Sequence, residues 1–374
     1  MDLAINEMQE MLKRTAREFF EKECPSSLVR AVEQEPNGYS RDLWQKMASQ
    51  GWMGMAVPSP YGGSGTSFLD LCVLVEETGR SLAPGPFIDT ALSAYLLADA
   101  GSEEQKQRWL PAIARGELIS TVAFTEPSAS YDPKEIKLSA KPDGDGYLLN
   151  GTKLFVSNAH IADLLLVVAR TGASGGEGLT IFAVPGSRTG VRTRVLDTLS
   201  SDRLAEVVFD NVRLGASDVV GPVNGAWPAV DRYLGKARVL TCVWSVGGAE
   251  YVLEITVEYA KNRVAFGRPI GAFQAISHKC ADMAMDCDGM RFVSYNAAWR
   301  ISEGLPADQE IAVAKAWCGE AYRRVTASGN QVHGGIAFMM EHNMQLYFRR
   351  AKAAELLYGD GDYHRERVAV GMGL

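Results

Sequence analysis

The spacing of apolar residues changes twice along this chain, and that change constrains the fold more than any single motif. Residues 1–118 carry apolar side chains at near-helical intervals, whereas residues 119–224 contain short β-branched and aromatic runs. From residue 225 to residue 374 the helical interval returns. The chain is also too long for one typical hydrophobic core. The pattern predicts an α+β protein of three domains: N-terminal helices at 1–118, a β domain at 119–224 and helices at 225–374.

The helical parts of the sequence give some element boundaries. Ser40 has a side chain that favours an N-cap, so a helix is predicted to begin directly after it. In the third domain, a helix beginning near residue 225 is followed by others around residues 273–303, 307–329 and 341–357. Four long helices are enough for an antiparallel four-helix bundle.

The middle domain contains several short strand-like segments. Asn150-Gly151 lies between two apolar runs and is typical of a hairpin turn, so a β-hairpin is predicted there. Further strands are expected at 121–127, 164–169, 179–184 and 205–209. These segments predict a β-rich middle domain.

Charge and cysteine content exclude several classes of partner. A net charge of −7 argues against nucleic acid or an anionic membrane as the main partner. The start of the chain lacks the regions of a signal peptide, and no apolar run reaches about 18 residues. No C-x-x-C or H-E-x-x-H occurs, so no metal site is expected, and a cytoplasmic protein with reduced thiols is predicted. The cysteines are Cys24, Cys72, Cys242, Cys280, Cys287 and Cys318.

The segment Arg263–Gln274 concentrates groups that bind anionic cofactors. It follows a long helical run and contains a permanent cation, aromatic rings, a helix-stopping Gly-Arg-Pro and a carboxamide. An arginine can bind a pyrophosphate, and a phenylalanine can pack against a planar ring. A glutamine can form hydrogen bonds with either group. An ordinary helix–loop–helix corner is the alternative.

Four segments, in order along essentially the whole chain, resemble motifs of the acyl-CoA dehydrogenase family. These flavoproteins desaturate an acyl thioester between its α and β carbons. The segments are Phe124–Pro127, Asn150–Ala159, Arg263–Gln274 and Gln331–Gly335, the last followed by Arg349–Lys352.

The resemblance implies a fold whose middle β domain is barrel-like or sandwich-like, between an N-terminal helical domain and a C-terminal four-helix bundle. It also implies FAD as the cofactor and assigns roles in its binding. Thr125, next to Phe124, would bond the pyrimidine edge of the isoalloxazine ring, Phe155 would pack near the dimethylbenzene side, and Ser157 would place its hydroxyl at flavin N5. Alternatively, Phe155 is a side chain that fills the hydrophobic core, and Ser157 is an ordinary turn residue.

The resemblance also implies a cofactor site shared between subunits. Arg263, Phe266, Ile270 and Gln274 would reach the FAD of a neighbouring subunit, and Gln331, Gly334 and Gly335 would complete that pocket. The assembly would be a tetramer built as a dimer of dimers. For the two glycines, a plain helix break is the alternative.

The catalytic base is where this chain departs from the family. Most members carry a Glu-Gly pair where this chain has Tyr358-Gly359, and a smaller group carries the glutamate where this chain has Ala237. Tyrosine, with an ordinary pKa near about 10, is a poor base. The catalytic residue is therefore unknown. Asp89 and Asp360 are candidates for the base. The alternative for Asp89 is an N-terminal helix cap, and the alternative for Asp360 is a turn residue.

Two residues are predicted to contact the substrate, an acyl-CoA thioester of unknown acyl chain. One is Tyr358. The other is Arg238, which is expected in the first turn of the first bundle helix. The helix dipole does not favour a cation at that end, so a ligand anion would account for an arginine there. A solvated surface arginine is the alternative.

Three functions stay open. The chain is one subunit of a heteromeric acyl-CoA dehydrogenase whose partner supplies the base, or a homomeric enzyme with an unusual base, or a non-catalytic flavin-binding subunit of the same fold. The family implies fatty acid or lipid metabolism and an electron-transfer flavoprotein as electron acceptor.

Overall fold

The chain divides into two compact units in this computed structural model, which describes residues 5–172, 175 and 177–374. Unit 1 is assembled from Met1–Arg30, Phe68–Ala83 and Gly235–Leu374, and unit 2 from Ala31–Ser67 and Pro84–Leu234. The predicted α+β class is confirmed. The three predicted domain limits remain a prediction.

The helices of the described residues follow the amphipathic pattern of the sequence. Ser40 caps its helix by accepting a hydrogen bond from the Leu43 amide, as predicted. Within that part of the chain none of the helices is both long and apolar enough to cross a membrane. The helices are α1 (Glu7–Glu23), α2 (Ser26–Gln34), α3 (Arg41–Ser49), α4 (Phe68–Ser81), α5 (Phe87–Ala100), α6 (Glu103–Ala114), α7 (Trp227–Asn262), α8 (Gln274–Ser302), α9 (Asp308–His333), α10 (Met344–Leu356) and α11 (Gly361–Gly371).

Helix α9 is at the centre of unit 1. It packs against α8, α10 and α11, while α4 lies between α1 and α8. Tyr322 of α9 and Val243 of α7 are fully buried in this core. The four long helices predicted after residue 225 are all present, and α11 is an additional helix that the sequence reasoning missed.

A buried carboxylate ties three of these helices together. Glu76 of α4 is almost completely buried, and it accepts hydrogen bonds from Lys13 of α1 at 2.7 Å and from Arg291 of α8 at 2.9 Å. The Tyr295 hydroxyl donates to the same carboxylate at 2.6 Å. Burial alone would raise the pKa of Glu76, but the two cations keep it below its ordinary value.

Helices α4 and α7 cross in backbone contact. A Cβ atom on Gly79 would lie 1.9 Å from the Trp244 carbonyl oxygen, and one on Gly247 would lie 1.9 Å from the Glu76 carbonyl oxygen. No side chain fits at either distance, so both positions require glycine.

Unit 2 is built on a mixed sheet. Its strands are β1 (Ser120–Ala123), β2 (Ser139–Asp143), β3 (Gly146–Ser157), β4 (Leu164–Arg170), β5 (Leu179–Pro185), β6 (Val191–Val195), β7 (Leu204–Leu214) and β8 (Val219–Val220). The order is β6-β7-β3-β2-β4-β5-β8, with β1 parallel to β4. Because β6 and β8 lie at opposite ends of this order, the described strands form no closed barrel, which corrects the barrel part of the prediction. A separate two-stranded hairpin, β9 (Val264–Ala265) with β10 (Arg268–Pro269), belongs to unit 1.

The predicted hairpin turn at Asn150-Gly151 is wrong. Strand β3 runs straight through both residues, and the chain instead reverses between Asp143 and Gly146. Gly151 has φ +142° and lies at a register shift where β7 has one residue more than β3, so Gly151 is opposite a bulge in β7. A glycine between two apolar runs of one strand makes them look like two strands in sequence, which explains the error.

Replacing Gly247 by alanine is expected to destabilise unit 1 by about 1–3 kcal/mol or more, because the added methyl group forces α4 and α7 apart. Urea unfolding followed by circular dichroism measures the change. Gly215→Ala is the matched control, since its Cβ would meet only the Ser217 hydroxyl at 3.7 Å. Equal stability of the two variants would contradict the close helix crossing.

Candidate functional site

The end of strand β3 presents two of the predicted site residues through an irregular backbone. Phe155 and Asn158 both have left-handed conformations, with φ of +55° and +53°, and the β3–β7 register shifts between Lys153 and Val156. Such conformations cost free energy in non-glycine residues and persist only where the surroundings enforce them. The Phe155 side chain is 44% exposed, so in this unit it is not core filler. Ser157 is the last residue of β3 and not a turn residue.

A buried ion pair holds the segment after β1 against this part of β3. The Lys153 ammonium lies 2.8 Å from a Glu126 carboxylate oxygen and 2.8 Å from the Phe124 carbonyl oxygen. The Thr125 carbonyl oxygen accepts from the Leu154 amide at 2.8 Å. The predicted residues Thr125, Phe155 and Ser157 are therefore carried by two segments that are joined directly.

The ion pair itself is closed to solvent. Glu126 also accepts hydrogen bonds from the backbone amides of Lys137 and Leu138, at 2.8 and 2.9 Å. Burial lowers the pKa of Lys153 to about 8, although Glu126 opposes the shift. Sequence reasoning gave neither residue a role. The sequence feature that could have identified Lys153 is a lysine inside the apolar run of β3.

Asp89 contacts the end of β3 directly. Its carboxylate accepts from the Asn158 side-chain amide at 2.7 Å. Burial raises the pKa of Asp89 to about 6, and the hydrogen bond from Asn158 offsets part of the shift. The alternative of a helix cap is wrong, because α5 begins at Phe87 with Pro86 in the N-cap position.

The segment Arg263–Gln274 forms the β9–β10 hairpin between α7 and α8 in unit 1, which replaces the alternative of a helix–loop–helix corner. Phe266, at the tip of the hairpin, has φ +51° and is 95% exposed. The Ile270 amide donates to the Arg263 carbonyl oxygen at 2.8 Å, and the Arg268 guanidinium lies 4.2 Å from the centre of the Phe273 ring. Arg263 and Gln274 are also exposed.

The pair Gly334-Gly335 follows α9 directly. Gly334 has φ +70° and ends the helix, as the helix-break alternative supposed. A Cβ atom on either glycine would meet nothing within 4 Å, so the backbone here borders open space. Gln331, in the last turn of α9, is exposed. The arrangement leaves backbone and a carboxamide accessible to a ligand.

Arg238 is not where the sequence predicted it. Helix α7 begins at Trp227, so Arg238 lies about three turns inside it, and the argument from the first helical turn fails. The surface alternative also fails, because Arg238 is only 2% exposed. Its Nε atom donates to the Tyr358 carbonyl oxygen at 3.3 Å, and its guanidinium lies 5.7 Å from the centre of the Tyr363 ring.

The loop after α10 is held by buried cations. Lys315 donates to the carbonyl oxygens of Ala354, Glu355 and Gly359 at 3.1, 3.0 and 2.8 Å, and so caps the C-terminal end of α10. Tyr358 is strained, with φ +60°. Sequence reasoning missed Lys315, although a lysine within the apolar stretch of a helix was a signal.

The positions considered for a base have the following environments. Ala237 is fully buried and brings no carboxylate. Asp360 is the N-cap of α11 and accepts from the Tyr363 amide at 2.9 Å, so it is a helix cap and not a turn residue. Within the described ranges, no group of three His, Cys, Asp or Glu side chains is arranged to hold a metal ion.

His364 adds a third contact to the Tyr358 loop. Its ring is fully buried, and Nε2 lies 3.0 Å from the Tyr358 carbonyl oxygen, so Nε2 carries the proton. Burial, followed by the nearby Arg238, lowers the pKa of His364 to about 3. Protonating Nδ1 would place an N–H in a buried position where that atom has no hydrogen-bond partner.

This neutral histidine predicts a loss of stability in acid. Between pH 6.5 and about 3 the unfolded chain binds the His364 proton and the folded chain does not, so the free energy of unfolding falls as the pH falls. His364→Gln keeps a donor for Tyr358 but does not titrate. Between pH 6.5 and about 4, the free energy of unfolding of His364→Gln should fall by about 2–3 kcal/mol less than that of the unmodified protein. Urea unfolding at each pH measures both values. His278→Gln, at an exposed position, is the control, and an unchanged slope for His364→Gln would contradict the assignment.

Comparison with known proteins places the whole chain in one family. Residues 6–117 match the acyl-CoA dehydrogenase N-terminal domain, residues 121–212 the middle domain and residues 224–373 the C-terminal domain.

Individual relatives agree over their full lengths. An acyl-CoA dehydrogenase of Bacillus subtilis (strain 168) is 30% identical, covering 96% of this chain and 97% of its own. The structure described as the ChsE4-ChsE5 complex from Mycobacterium tuberculosis has a TM-score of 0.92 at 29% identity, covering 100% of this chain and 99% of that one. The structure described as PigA with FAD and proline has a TM-score of 0.93 at 27% identity and covers 100% of both chains. The chain belongs to the acyl-CoA dehydrogenase family.

Proposed function

We propose that this chain binds FAD and acts in the α,β-dehydrogenation of an acyl-CoA thioester, paired with a non-identical chain that supplies the catalytic base. The observation that carries the redox part is the irregular end of β3, which exposes Phe155 and ends on the Ser157 hydroxyl. A backbone with left-handed conformations at two nearby non-glycine residues, Phe155 and Asn158, is retained where the surroundings enforce it, and such strain is common at functional sites.

The residues present suit FAD. An exposed aromatic ring at Phe155 offers a packing surface for a flat tricyclic ring, and a hydroxyl at Ser157 offers a hydrogen bond to it. An exposed guanidinium at Arg263 matches a pyrophosphate, and the open backbone at Gly334-Gly335 lets a phosphate approach closely. Bound FAD supplies the acceptor for the hydride of the β carbon.

Each predicted residue receives a role in this proposal. Thr125, with Phe124 behind it, bonds the pyrimidine edge, Phe155 covers the dimethylbenzene side, and Ser157 bonds N5. Arg263, Phe266, Ile270 and Gln274 reach the FAD of a neighbouring subunit, and Gln331 with Gly334 and Gly335 completes that pocket. The exposure of Phe266 supports the role between subunits. Its ring is 95% exposed in one chain, so covering it with a neighbouring subunit or its FAD would bury apolar surface, which is favourable.

The pairing with a second chain rests on the missing base. Abstraction of the α proton needs a positioned base, which contributes about 10²–10⁴-fold in rate. Tyr358 and Ala237 replace both family glutamates, the Asp360 carboxylate caps α11, and the Asp89 carboxylate is engaged by Asn158. The similar Mycobacterium tuberculosis structure is itself described as a complex of two named proteins.

Further parts of the proposal follow from the family. We propose a dimer of dimers, an electron-transfer flavoprotein as electron acceptor, and a place in fatty acid or lipid metabolism. A reducing compartment such as the cytoplasm suits the cysteines, since all six are free thiols. Arg238 and Tyr358 are proposed to contact the substrate.

Anaerobic mixing with a panel of acyl-CoA thioesters tests the function. We expect the flavin absorbance to bleach when this chain is co-purified with the product of the neighbouring gene and to persist when it is alone. Bleaching by the isolated chain would instead support a homomeric enzyme with an unusual base. Holoprotein that never bleaches in either form would support a non-catalytic flavin-binding subunit.

Replacing Arg263 by alanine is expected to raise the dissociation constant for FAD about 10- to 100-fold, because a charge-assisted hydrogen bond to the pyrophosphate is lost. Fluorescence titration of apoprotein with FAD measures the change. Lys261→Ala removes an exposed cation two residues away and serves as the control. Unchanged affinity in Arg263→Ala, or a stable monomer that retains FAD on gel filtration, would contradict a cofactor site shared between subunits.

A further inference from the structure

We propose that Arg268 is a second cofactor-binding arginine, which forms with Arg263 a clamp of two guanidinium groups on the pyrophosphate of FAD. The inference rests on the proposed function, because Arg263 is taken there as the pyrophosphate ligand. It gives a role to a residue that had none, and it concerns the β9–β10 hairpin of unit 1 alone.

The hairpin places the two arginines on one face. Arg268 pairs with Ala265 across the two strands. Two residues further from the turn, the Ile270 amide donates to the Arg263 carbonyl oxygen at 2.8 Å and continues the pairing. Paired residues of an antiparallel ladder point to the same side, and side chains alternate along each strand. Arg263 and Arg268 are therefore diagonal neighbours on one face, about 7–8 Å apart at the backbone, a distance that long side chains can bridge.

The turn between the strands is short and well defined. Phe266 and Gly267 are its two residues, with φ of +51° and +79°, the signs expected for the type I′ turn of a two-residue hairpin. After the second strand, the Phe273 amide donates to the Ile270 carbonyl oxygen at 3.0 Å. The guanidinium groups are therefore carried on a hydrogen-bonded scaffold of a few residues.

The Arg268 side chain is oriented by a ring of the same segment. Its guanidinium carbon lies 4.2 Å from the centre of the Phe273 ring, while the side chain stays exposed. A guanidinium stacked on a ring keeps the N–H groups in its plane free for acceptors. Because the side chain is ordered before a ligand arrives, less conformational entropy is lost on binding.

The charges around the hairpin favour an anion. Residues 259–281 contain four Lys or Arg residues and no Asp or Glu, in a chain whose net charge is −7. Glu258, which precedes this stretch, accepts from the Asn262 side-chain amide. In the part of the chain that the structure describes, neither Arg263 nor Arg268 forms a salt bridge. A pyrophosphate diester carries one negative charge on each phosphate near pH 7, so two guanidinium groups balance it and one does not.

Fluorescence titration of the apoprotein with FAD tests the proposal. Arg268→Ala should raise the dissociation constant for FAD about 10- to 100-fold, because a charge-assisted hydrogen bond to a phosphate is lost. Lys261→Ala, which removes an exposed cation outside the hairpin, is the control and should leave the constant unchanged.

A second variant tests the stacking. Phe273→Leu removes the ring under the guanidinium and changes no charge. It should raise the dissociation constant for FAD about 2- to 5-fold when Arg268 is present. In the Arg268→Ala background the same substitution should have no further effect, since the two residues then no longer interact.

A contact between Arg268 and a carboxylate of a neighbouring subunit is the competing explanation. Sedimentation velocity of the apoprotein separates the two, because an interface contact would weaken assembly in Arg268→Ala even without FAD. We expect the variant to assemble as the unmodified apoprotein does. We also expect added salt to weaken FAD binding less in the variant, since fewer charges are then screened.

Three results would overturn the proposal. They are an unchanged dissociation constant for FAD in Arg268→Ala, a full effect of Phe273→Leu in the Arg268→Ala background, and weaker assembly of the Arg268→Ala apoprotein. Failure of the proposed function has a different signature. Unmodified protein that takes up no FAD would refute the function, and the clamp with it. If FAD binds and only Arg263→Ala weakens it, the function stands and the role of Arg268 is refuted.

Discussion

The buried ion pair between Lys153 and Glu126 is the interaction on which the candidate site depends. It joins the segment after β1 to the irregular end of β3, and the residues proposed to bind the flavin ring lie on those two segments. Removing one partner of a buried pair leaves an uncompensated charge, which typically costs about 3–5 kcal/mol. An apolar pair would not provide the two hydrogen bonds of Glu126 to the amides of Lys137 and Leu138, so the pair also fixes geometry.

Unit 1 uses buried cations for a related purpose. Lys315 and Arg238 both donate to carbonyl oxygens of the chain around Tyr358, and His364 adds a neutral donor. In the proposed function Tyr358 stands at the position of the family's glutamate, and these contacts surround a residue with a left-handed backbone. Under that proposal a partner chain supplies the base.

Much of the fold could be predicted because the apolar period is a local property. The long helices after residue 225 and strands such as β4 and β5 repeat one period over many residues. The errors occurred where the period is interrupted or weak. Asn150-Gly151 was assigned to a turn, although it lies within β3 opposite a bulge of β7, and β2 was missed because most of its residues are exposed. For the site, motif order along the chain indicated the residue types but not the partners of Asp89, Lys153 or Lys315.

The sequence by itself determined the α+β class and the family, because periodicity and motif order are written along the chain. The tertiary structure decided which charges are buried and what they bind. Arg238 illustrates the difference: its distance from the helix start and its burial depend on where α7 begins and on what packs around it. Desolvation and hydrogen-bond partners arise from residues far apart in sequence, so the raised pKa of Asp89 and its contact with Asn158 could not be read from the order of residues alone.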